Sequence, residues 1–100
     1  MKFVLQNALK NNIYNLTRKL GYHFLGQDEG RGELSFVRPA RGYPRFHLFV
    51  ETDGSNLIFN LHLDQKKPVY KNSPAHAAEY KSELVQKEVK RIKMILKQYD

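Results

Sequence analysis

The residues best suited to chemistry gather in the second half of the chain. His62 and Asp64 stand two apart in an alternating apolar stretch, so both project from one face of a strand end. His76 and Glu79 stand three apart near the start of a following helix and share its face. If the intervening connection folds back, two imidazoles and two carboxylates meet. Such a set suits a divalent metal (zinc, manganese or iron) or a general acid–base pair in a hydrolase, a phosphodiester being one substrate that fits. The same residues also fit a polar sheet surface and a solvated first helical turn.

A second constellation is cationic. Arg38, Arg41 and Arg45 fall in a stretch without an acid, and Lys66, Lys67 and Lys71 precede a helix that starts at Ser73-Pro74. Arginine forks grip phosphate, and free N–H groups around His76 at the helix start add partial positive charge. Tyr43 and Tyr70 offer rings for base stacking. This set points to RNA, DNA or a phosphorylated ligand.

Net charge supports that direction. The 100-residue chain has 17 Lys and Arg against 10 Asp and Glu, a balance of +7 that favours anionic partners. Residues 65–100 carry nine of the bases and four of the acids. Cysteine is absent, which removes disulfides, thiolate metal sites and thiol nucleophiles. The apolar run at Phe3-Val4-Leu5 is too short for a signal peptide, and no stretch approaches the ~20 residues of a membrane span. A cytoplasmic protein, monomeric or homodimeric, is expected. No serine lies in a nucleophile-elbow context, and Gly30-Arg31-Gly32 lacks the spacing of a phosphate-binding loop.

The elements that must position these residues follow from periodicity. Leu5, Leu9, Ile13, Leu16 and Leu20 recur at helical spacing and end at Gly21, which predicts a helix of about four turns. Strands are expected at Tyr22–Leu25, Glu33–Arg38, Tyr43–Thr52 and Ser55–Leu63. Asp53-Gly54 reads as a two-residue hairpin turn. Pairing Thr52 with Ser55 sets Val50 against Leu57, Leu48 against Phe59, Phe46 against Leu61, and Pro44 against Leu63, all on a core face. The other face then carries Tyr43, Arg45, His47, Phe49 and Glu51 opposite Asp64, His62, Asn60, Ile58 and Asn56. Leu34 and Phe36 join the core face if the loop before the long third strand spans five residues. Phe49 and Ile58 on the polar face offer a patch for a homodimer or another protein partner, and His47 reads as a surface histidine.

Leu84, Val85, Val89, Ile92, Leu96 and Tyr99 form the apolar stripe of a long terminal helix, with Lys87, Lys90, Lys93 and Lys97 on its opposite side. The expected architecture is a single α+β domain over residues 1–100. It is a two-layer sandwich with a four-stranded antiparallel sheet and N- and C-terminal helices on one face, in the order α-β-β-β-β-α.

Overall fold

The computed structural model describes residues 1–8, 11–65 and 74–99, with the side chains of 74–80 and of 99 outside that description. It is an α+β arrangement built on an antiparallel sheet. Among the described residues the sheet has five strands, not the expected four: β1 (Lys2–Leu5), β2 (His23–Gln27), β3 (Leu34–Arg38), β4 (Arg45–Asp53) and β5 (Asn56–Asp64), in the spatial order β1-β5-β4-β3-β2. A short helix α1 (Ile13–Lys19) follows β1, and a long helix α2 (Pro74–Leu96) runs on into a 3₁₀ turn at Lys97–Tyr99.

The extra strand corrects the amino-terminal reading. Phe3 and Leu5 are buried while Lys2 and Val4 are exposed, a period of two that a sheet requires and a helix forbids. β1 pairs with β5 from Lys2↔Asn60 to Leu5↔Leu57, which removes β5 from the sheet edge. The Phe3 ring stacks on Phe59 at 5.1 Å. Asn7 then takes a positive φ of 54°, a conformation Asn tolerates better than most residues. Asn12 caps α1 by accepting a hydrogen bond from the Asn15 amide at 3.1 Å. Asn11-Asn12 therefore interrupts the leucine periodicity: Leu5 belongs to a strand, and Leu16 and Leu20, with Ile13 and Thr17, line the buried side of the helix. The helix ends where expected, at Gly21, whose φ of +88° suits glycine.

The central hairpin departs from expectation by two residues. Thr52 pairs with Leu57, and Asp53 with Asn56, so the loop is Gly54-Ser55. Gly54 alone adopts positive φ there, at 59°, as a Gly-first hairpin loop demands. Val50 now faces Phe59, Leu48 faces Leu61, and Phe46 faces Leu63. A slip of two preserves parity, so every side chain keeps its face. Leu34 and Phe36 pair with Val50 and Leu48 and join the same side.

Both helices cover that side. Leu16 and Leu20 of α1 and Val85, Val89, Ile92 and Leu96 of α2 form one buried cluster with Phe36, Leu48, Val50, Leu57, Phe59 and Leu61. Each fully buried Leu, Val or Phe stabilises the fold by about 1.5–3 kcal/mol. The opposite face of the sheet carries the polar set. Among the described residues no helix is long and apolar enough to cross a membrane.

Candidate functional site

Two carboxylates, one on each side of the sheet, organise the polar side chains. On the helix side, Glu88 is 5% exposed. Tyr22, the residue before β2, donates its hydroxyl to Glu88 Oε2 at 2.6 Å. Arg91, one turn along α2, donates Nε to Oε1 at 2.7 Å and Nη2 to Oε2 at 2.8 Å. Arg38, at the end of β3, completes the set at 3.2 Å. Arg91 Nη2 also donates to the Leu20 carbonyl at 2.6 Å, tying the end of α1 to α2. Burial by itself would raise the Glu88 pKa, but the hydrogen bonds from Arg91 and Tyr22 and the two guanidinium charges hold it below the usual carboxylate range. The Tyr22 phenol is pushed well above its ordinary value by burial and by the carboxylate it contacts.

On the face turned away from the described helices, Asp64 ends β5 and pairs in register with Arg45, while His62 pairs with His47. The two-residue shift of the hairpin creates these neighbours. His47 Nδ1 lies 2.9 Å from Asp64 Oδ2, and its Nε2 lies 2.5 Å from Ser35 Oγ on β3. Phe49 stacks against the His47 ring at 4.2 Å and meets His62 edge-on at 5.7 Å. Arg45 Nε sits 3.5 Å from the same Asp64 oxygen without a hydrogen bond, and its guanidinium lies over the Tyr43 ring at 4.7 Å. His62 has its pKa lowered, first by partial desolvation and then by the amino-terminal charge.

The sequence-derived sites are distributed as follows. His62 and Asp64 share a face, but the imidazole bonded to Asp64 is that of His47. His76 and Glu79 lie in the first turns of α2, with their side chains outside the described residues. Among the described residues no three His, Asp or Glu side chains are grouped to hold a metal. Arg38 and Arg45 occupy opposite faces, each beside a carboxylate, and Arg41 is exposed in the loop between β3 and β4. Lys66, Lys67 and Lys71 lie outside the described residues.

Sequence reasoning missed one feature. Ser35 and His47 were legible as an i, j±2 diagonal across neighbouring strands only with the right register. The outer face of α2 was legible from the helical spacing, without a ligand assigned to it. From Leu84 to Gln98 its exposed positions are Gln86, Lys87, Lys90, Lys93, Met94, Lys97 and Gln98, and the single carboxylate of that stretch, Glu88, is buried and neutralised. α1 places Arg18 in its last turn. Next to Arg18 opens a cleft of about 340 Å³ lined by Tyr14, His23, Phe24 and Phe36. Tyr14 and Phe24 are 44% and 50% exposed, unusual for rings that meet edge-to-face at 5.2 Å. The chain matches no known protein-family model and no curated protein sequence, so its own geometry carries the functional argument.

Proposed function

We propose that this domain binds a polyanion, nucleic acid foremost, through the helix layer. The observation that carries the reading is the lysine face of α2. Lys87, Lys90, Lys93 and Lys97 are exposed along almost three turns; Glu88, the carboxylate within that run, is turned inward to Arg38 and Arg91, while Glu83 stands exposed one turn before Lys87. Lys90, Lys93 and Lys97 recur at spacings of three and four, so they form one stripe about 10 Å long. Lysine is a mobile point charge, suited to a phosphate backbone rather than to one fixed phosphate. The cleft beside Arg18 supplies two exposed rings, Tyr14 and Phe24, of the kind on which single-stranded nucleic acid stacks. Arg41 and the Lys66, Lys67 and Lys71 segment add further positive charge in the sequence.

Fluorescence anisotropy of a labelled single-stranded RNA, titrated at several salt concentrations, tests this. Three to four neutralised phosphates give a slope of log affinity against log salt of roughly −2 to −3. Replacing Lys90 and Lys97 with Gln should flatten that slope by about 1.4. Salt-independent binding, or a slope unmoved by the double replacement, would refute the reading.

A further inference from the structure

The sheet face turned away from the described helices holds an arrangement that polyanion binding does not use. Ser35, His47 and Asp64 stand on three consecutive strands, β3, β4 and β5, and their side chains form one continuous hydrogen-bonded line. From this line we propose that Ser35 is a nucleophile activated by His47 and Asp64, able to accept the acyl group of a small ester.

The protonation pattern follows from the partners. An ionised carboxylate only accepts hydrogen bonds, so the His47 nitrogen facing Asp64, Nδ1, carries a hydrogen. In the neutral ring Nε2 is then a lone pair, and it faces Ser35 Oγ at 2.5 Å. That is the tautomer a general base needs to take the serine proton. The ring is also held in place. It is stacked on Phe49 at an interplanar angle of 23°, and its side chain is only 16% exposed. All three groups ride on paired strands, which hold them more rigidly than loops would. Among the described residues both helices pack on the other face, and Ser35 stands beside the Phe49 ring on this one.

The step balances with these groups alone. Ser35 Oγ bonds to the ester carbonyl carbon as its proton passes to His47 Nε2 and the carbonyl π pair moves onto oxygen. When the tetrahedral centre collapses, the bond to the alcohol breaks, and the departing oxygen takes the proton from Nε2. Asp64 accepts the Nδ1–H throughout and stabilises the imidazolium while it exists. Water then repeats the sequence on the acyl-serine and releases the carboxylic acid.

The test is independent of RNA binding. The full chain is treated with a fluorophosphonate probe: the P–F bond breaks, a P–O bond forms on serine, and the proton goes to His47. Peptide mass spectrometry locates the adduct. One adduct, on Ser35, is expected, absent from Ser35→Ala. Labelling should slow by about 100-fold or more in His47→Gln, the scale of general-base assistance. Asp64→Asn reverses the preferred tautomer and should also slow labelling by at least about tenfold. Circular dichroism establishes that the variants are folded, and if His47→Gln is not, Asp64→Asn carries the comparison. No adduct at Ser35, an adduct elsewhere only, or an unchanged rate in a folded His47→Gln or Asp64→Asn overturns the proposal.

Discussion

Glu88 and Asp64 are both carboxylates flanked by cations, yet they sit on opposite sides of one sheet and experience different surroundings. Glu88 is 4% exposed at its side chain, and its partners come from α2 itself, from the end of β3 and from the segment leading into β2. Asp64 is 34% exposed and contacts residues of the neighbouring strand β4. The first joins parts of the fold distant in sequence. The second organises a surface already fixed by strand pairing. Burial and chain separation, rather than charge, decide which carboxylate the fold depends on.

The largest effect should come from Glu88→Ala. It strands two guanidinium groups and a phenol at the edge of the core, and removal of one partner from a buried pair costs about 3–5 kcal/mol. Arg38 and Arg91 are 41% and 34% exposed and can turn to water, which brings the expected loss to roughly 2–4 kcal/mol by urea unfolding. A loss below about 1 kcal/mol would mean that the cluster is a surface pair in all but position. Next is Tyr22→Phe, which leaves the carboxylate without one donor and should cost about 1–2 kcal/mol. Its melting curve also reports whether α2 is held to the strand side through this hydroxyl.

Acidification probes the same cluster without mutation. Glu88 has a depressed pKa in the folded chain and an ordinary one, near 4.5, when unfolded. Its contribution is therefore present above that ordinary value and is lost as pH falls through the folded value, because the unfolded state takes up the proton first. Unfolding free energy should decline below about pH 4.5, and less steeply in Glu88→Gln. An equal slope in both proteins would assign acid sensitivity to other groups. The smallest effect is expected from Asp64→Asn, within about 1 kcal/mol of wild type, since the partly exposed pair is screened by water.

This contrast shows where sequence reading succeeded and where it stopped. Face assignment was legible because strand side chains alternate, and a register error of two residues left Phe46, Leu48, Phe59 and Leu61 on the core side. Neighbours were not legible for the same reason: the error placed Arg45 opposite His62 and hid the His47–Asp64 contact. At the amino terminus, Leu5 continued a helical spacing by coincidence, and Leu9 lies outside the described residues. The capping preference of Asn12 and the alternation from Lys2 to Leu5 were the contrary signals, and a four-residue strand is too short for alternation to dominate. Glu88 was hidden in plain sight within a lysine-rich helix. Its inward placement depends on Tyr22 and Arg38, residues about 50 or more positions away in sequence.

Urea unfolding of wild type, Glu88→Gln and Asp64→Asn in one buffer at neutral pH separates the two carboxylates. Glu88→Gln should lose at least about 1.5 kcal/mol more than Asp64→Asn. Equal losses, or a larger loss for Asp64→Asn, would show that burial does not set their roles apart.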